Sequence, residues 1–123
     1  MSASRAFVGT VDVVIGVAML AFWAVAMVVR TLPGTRRPAA QLPFHIAAES
    51  VTGALLLAGG VGLLARGGDP WRLLSALGLG ALLYGLVETA GHYVDAGAWL
   101  MVGVLALSGV LVAVTIAMAL TSG

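Results

Sequence analysis

The chain has 123 residues, of which 61% are hydrophobic and only 9% charged, a balance that excludes an ordinary soluble domain of this length and points to a polytopic membrane protein. A formal net charge of +1, with no basic cluster interleaved with aromatics, excludes a nucleic-acid-binding surface. The absence of cysteine excludes disulfide frameworks, thiolate metal sites and thioether-linked haem.

The first apolar run extends from Phe7 to Val29 and is closed by Arg30. At about 1.5 Å per residue it is long enough to cross a hydrocarbon core of about 30 Å. Ala24-Val25-Ala26 has the small-residue spacing of a leader cleavage site, but the run is too long for a leader, carries Asp12 and is preceded only by Arg5. Asp12 is expected close to the interface, where it reaches water or the free donors of the first helical turn.

Thr31 to Pro43 contains Pro33, Pro38 and Pro43, the turn dipeptide Pro33-Gly34 and the pair Arg36-Arg37. Prolines at these positions exclude a helix, so the segment reads as a surface loop, with Pro43 placed where the next helix can begin. A second span follows from Phe44 to about Leu64 and ends at Arg66 and the turn Gly67-Gly68-Asp69-Pro70. Trp71 opens a third span at interfacial level. That span runs to His92 and Tyr93, and a turn around Asp95-Ala96-Gly97 leads to the fourth, from Ala98 to Leu120 with Trp99 as its anchor.

The expected fold is therefore all-α: an integral membrane four-helix bundle of up-down topology with both termini on the same side. It forms a single domain over residues 1–123, with spans at about 7–30, 44–65, 71–92 and 98–120. Its expected place is the cytoplasmic (inner) membrane. Glycine is concentrated inside the spans, and Ala54, Ala58 and Gly62, or Ala81 and Gly85, or Gly109, Ala113 and Ala117, supply seams on which helices can close. Arg5, Arg66 and Arg72 fall on one side and Arg30, Arg36 and Arg37 on the other. The charge bias is thus nearly neutral, with the Arg36-Arg37 pair leaning toward a cytoplasmic loop and an antiparallel homodimer as a further arrangement.

The only two histidines open and close a mirrored pair of motifs, His45-Ile46-Ala47-Ala48-Glu49 and Glu88-Thr89-Ala90-Gly91-His92. Residues four apart project from one helix face, so antiparallel packing of these segments predicts His45 beside His92, with Glu49 beside Glu88 one turn deeper. Ionisable groups inside spans cost a few kcal/mol each on insertion scales and are kept where they have partners or a task. The stripe continues inward to Tyr84 on one helix and to Thr52 and Gly53 on the other.

Two imidazoles and two carboxylates make a sufficient ligand set for a divalent transition metal, zinc, iron or manganese. The first expectation is thus a metal site on His45, Glu49, Glu88 and His92, serving redox or hydrolytic chemistry or metal transport. A proton-coupled carrier of a small molecule or ion would use the same cluster, since two close carboxylates do not readily both stay ionised and the histidines can relay protons. A structural clamp that fixes helix register is a third reading. Haem b on His45 and His92, with Tyr84 and Gly85 at the cofactor, is the fourth and the least suited, because the carboxylates would lie about one turn from the iron. No nucleophile elbow, phosphate-binding loop or nucleotide fingerprint occurs.

Overall fold

The computed structural model describes residues 2–29 and 42–121 and is all-helical over them: α1 (Ala3–Val29), α2 (Leu42–Ala65), α3 (Asp69–Asp95) and α4 (Trp99–Thr121). All four are long and apolar enough to span a membrane. The connection bearing Arg36 and Arg37, on which the orientation expectation rests, lies outside the described residues.

Each helix start and stop has a local cause. Pro43 lies in the first turn of α2 and Pro70 in the first turn of α3, where a missing N–H is harmless and the ring presets the helical φ. Asp69 adds negative charge at the amino-terminal end of α3. The α2–α3 turn is made by Gly67 (φ 73°) and Gly68 (φ 104°), conformations that side chains disfavour, and Gly97 (φ 72°) plays the same part before α4. The third helix is thus longer than expected at both ends. The Asp69-Pro70 pair belongs to the helix and not to the turn.

Contacts run in opposite numerical order along consecutive helices. Gly9 and Gly16 of α1 approach Gly60 and Gly53 of α2; Gly59 and Gly62 of α2 approach Ser75 and Trp71 of α3; Leu83 of α3 approaches Gly109 of α4. Each helix packs most extensively on its neighbours in sequence, whereas α1 and α4 touch sparingly. The tight seam is the pair of glycines seven apart on α1 and α2, a spacing that keeps both on one face. Of the expected seams, Gly62 closes on Trp71 and Gly109 on Leu83, whereas Ala54, Ala58, Ala113 and Ala117 are exposed.

Two apolar clusters fill the interior. Val8, Leu63 and Ala119 meet at one end, with Trp71 and Met118 against them, and Leu56, Leu79 and Val112 form the second. Val14, Phe22, Leu73, Leu77, Leu100 and Leu107 face outward. This distribution, apolar outside as well as inside, is compatible with a membrane protein.

At the Val8 end two arginines satisfy helix-terminal carbonyls that have no partner of their own. Arg5 donates through Nε to the Leu63 carbonyl of α2. Arg72 donates to the carbonyls of Ala119 (3.1 Å) and Leu120 (2.9 Å) in α4 and meets Asp69 Oδ1 at 3.0 Å. Replacing Arg72 by methionine keeps most of the stem but removes these donors. It is expected to lower stability by about 1 kcal/mol once solvent screening is allowed for, read as a fall in the thermal unfolding midpoint in detergent that Arg72→Lys partly restores.

Candidate functional site

The register of α2 on α3 decides which polar groups meet. Gly59 lies at Ser75, Leu56 at Gly78 and Gly62 at Trp71, and continuing that pairing puts Glu49 level with Gly85 and His45 level with Thr89. The mirrored motifs predict Glu49 level with Glu88 and His45 level with His92, three residues away. The earlier start of α3 accounts for the difference, because taking Asp69 and Pro70 into the helix moves the fold-back point toward α2.

A cavity of about 250 Å³ opens at this level and receives residues from all four helices. His45, Glu49 and Thr52 line it from α2 and Tyr84, Gly85, Glu88 and Thr89 from α3. Met19 of α1, Leu82 and Leu86 of α3 and Leu105 of α4 supply apolar wall. A methyl group built at Gly85 would meet nothing within 4 Å, which leaves the cavity open beside the Glu49 carboxylate.

Glu49 is the fixed carboxylate of the group. It accepts a hydrogen bond at Oε2 from the Trp23 indole N–H of α1, and its Oε1 lies 3.3 Å from His45 Nε2. Trp23 is itself buried and sets its ring edge-on to His45, with centroids 5.7 Å apart and planes at 77°. The indole N–H thus holds one carboxylate oxygen while the imidazole lies beside the other, and a hydrogen bond to an ionised acceptor orients the carboxylate as well as stabilising it. Thr52 spends its hydroxyl on the Ala48 carbonyl one turn back.

Glu88 lines the cavity from its exposed edge, beside the exposed Tyr84. His92 is exposed, sets its ring against Tyr93 with centroids 6.0 Å apart, and does not line the cavity. Of the expected metal set, the structure therefore brings His45, Glu49 and Glu88 to one cavity and leaves His92 beyond it. Among the described residues no three His, Asp or Glu side chains are gathered closely enough to hold a metal ion.

Trp23 is the residue of this cluster that the sequence pattern did not single out. The signal that could have found it is the seven-residue spacing shared by Gly9 and Gly16 with Gly53 and Gly60, which fixes the α1 register, puts Trp23 level with Ile46 and leaves its indole within one turn of Glu49. Asp12 also departs from expectation: it lies close to the midpoint of Ala3–Val25, is fully buried, and accepts the Ser75 hydroxyl.

No curated protein and no solved structure matches the chain. A family model matches residues 2–123, so the chain belongs to the family described as Domain of unknown function (DUF8058).

Proposed function

We propose that this chain is a small membrane carrier, inserted as an up-down bundle of four spans, which holds an organic cation in the α2–α3 cavity in exchange for protons. The observation that carries the reading is Glu49. It is a carboxylate oriented by Trp23 and His45 on the wall of a largely apolar cavity of about 250 Å³, with Glu88 and Tyr84 at the opening. An apolar wall with a few convergent polar groups suits an amphiphilic molecule, and the carboxylates select its charge. The volume exceeds what a bare ion requires.

Proton exchange follows from the same groups. A glutamate holding a proton no longer supplies counter-charge, so protonation and cation binding compete at Glu49 and Glu88, and His45 can pass the proton between Glu49 and water. The near-even split of arginine across the two faces suits a chain that works as an antiparallel pair, in which two cavities face opposite sides.

The test uses the detergent-purified protein with benzyltrimethylammonium as probe and the uncharged, equally shaped neopentylbenzene as control, read by calorimetry and tryptophan fluorescence. The cation is expected to bind and the neutral compound to bind far more weakly. Glu49→Gln should weaken the cation about 10- to 100-fold, Glu88→Gln less because it is exposed, and acidification should displace the probe. Equal affinity for both probes, or an unchanged affinity in Glu49→Gln, would overturn the proposal.

A divalent transition metal is the second reading, supported by His45 Nε2 and Glu49 Oε1 lying 3.3 Å apart, a separation suited to two ligands of one ion. Elemental analysis of the same preparation, made without a histidine tag, decides between the two. Near-stoichiometric zinc, iron or manganese lost in Glu49→Gln would favour the metal.

A further inference from the structure

The most deeply buried polar groups lie away from the α2–α3 cavity. Asp12, Ser75 and Thr115 have no solvent exposure at all. Asp12 Oδ2 accepts the Ser75 hydroxyl, while Asp12 Oδ1 is buried and has no hydrogen-bond partner among the described residues. Thr115 belongs to the same level: Val8 packs with Ala119 and Arg72 bonds Ala119, and following those pairings inward by one turn brings Asp12 and Ser75 to the height of Thr115, whose hydroxyl donates to the Leu111 carbonyl at 2.8 Å and so has only its oxygen lone pairs to offer. The remaining helix contributes Gly59 and Gly60. A methyl at Gly60 would lie 2.8 Å from Asp12 Cβ, and one at Gly59 would lie 2.9 Å from the Ser75 amide nitrogen. The glycine pair is what lets α1 and α3 close on one carboxylate.

A lone ionised carboxylate in such a place, held by one hydroxyl, is among the most expensive groups a helix bundle can contain. A single positive charge of small size removes that cost, and the free oxygen Oδ1 is the position from which it can be held. We propose that Asp12 and Ser75, with Thr115 beside them, form a second site for a small, dehydrated monovalent cation, a proton or a sodium ion.

Among the described residues no competing counter-charge is in direct contact. On α1 the nearest charged group is Arg5, about two turns away and engaged by the Leu63 carbonyl. On α3 it is Arg72, one turn away and engaged by Asp69 and the carbonyls of Ala119 and Leu120. α2 presents glycine here, with Arg66 beyond its end and Glu49 and His45 about three turns or more away, and α4 has no charged residue between Trp99 and Thr121. The proposal does not depend on what the α2–α3 cavity binds.

The site is tested by stability, because an ion bound only by the folded chain raises stability as its concentration rises. Thermal unfolding of the purified protein is followed across a pH series, and across a sodium chloride series with choline chloride holding ionic strength constant. The wild-type midpoint should rise with one of the two ions, as pH falls for a proton or as sodium rises for the metal ion. Asp12→Asn, which keeps the shape and the Ser75 contact, should lose that increment. If the ion is sodium, Ser75→Ala and Thr115→Val should move the dependence to at least about ten-fold higher sodium; if it is a proton, Ser75→Ala removes a donor to the ionised carboxylate and should move the dependence to higher pH. If Asp12→Asn does not fold, the two hydroxyl variants decide alone. Dependences identical in wild type and variants, or a wild type insensitive to both ions, would overturn the proposal.

Discussion

Replacing Gly16 by alanine is expected to separate α1 from α2 and to cost the protein much of its thermal stability in detergent, while the same change at Gly80, Gly91 or Gly103 should be neutral or stabilising. A Cβ at Gly16 would lie 2.8 Å from the Gly53 carbonyl oxygen and 2.8 Å from the Leu57 amide nitrogen. Both are backbone atoms of a helix, so no side-chain rotation relieves the clash, and the two helices must move apart along their tightest seam. Overpacking of this kind costs about 1–3 kcal/mol and more where backbone must shift. At Gly80, Gly91 and Gly103 an added methyl meets nothing within 4 Å, and alanine there gains about 0.5–1 kcal/mol of helix propensity. Unfolding midpoints of the four single variants, compared under one condition, check the contrast. A Gly16→Ala midpoint equal to that of Gly103→Ala would show that the seam does not carry the packing.

That seam also explains how much of the molecule could be read in advance. Helix number and approximate extent follow from run length and from Gly67, Gly68 and Gly97, whose positive φ values confirm turns that the composition marks. Register was less legible. A proline beside an aspartate reads as a turn, yet Pro70 is preorganised for a first helical turn, and shifting the start of α3 displaces every later pairing with α2. The face of α3 was legible as a stripe but not as a direction. Tyr84, Glu88 and His92 do share one face, four residues apart, but the inner face is claimed by Ser75, Gly78, Leu79, Leu82 and Leu86, which lie at helical spacing and fit the close approach of α2. Glu88 therefore reaches the cavity only from its edge, and His92 passes beyond it. A mirrored motif in the sequence specifies spacing along each helix; the rotation of each helix is set by where its small residues permit contact.

The second large effect is expected at Trp23. Its indole is 6% exposed, packs edge-on to Phe22 (centroids 5.2 Å apart, planes at 84°) and to His45, and donates to Glu49. Trp23→Ala removes all of these and is expected to cost about 3–5 kcal/mol, the range for deleting a large aromatic from a packed interior. Trp23→Phe keeps most of the ring and loses the N–H, so its cost should be the smaller one of a hydrogen bond to a charged group, about 1.5–3 kcal/mol. The contribution of charge can be isolated by measuring Trp23→Phe again in a Glu49→Gln background, where the side-chain amide oxygen still accepts but carries no charge. The Trp23→Phe penalty should then fall by roughly half, since bonds to ionised acceptors are about twice as strong as neutral ones. An equal penalty in both backgrounds would mean that the charge of the acceptor contributes nothing to the bond. Benzyltrimethylammonium binding separates positioning from charge in the same variants: Trp23→Phe leaves the carboxylate in place and should weaken the cation less than Glu49→Gln does, because one loses the orientation of the counter-charge and the other loses the counter-charge itself.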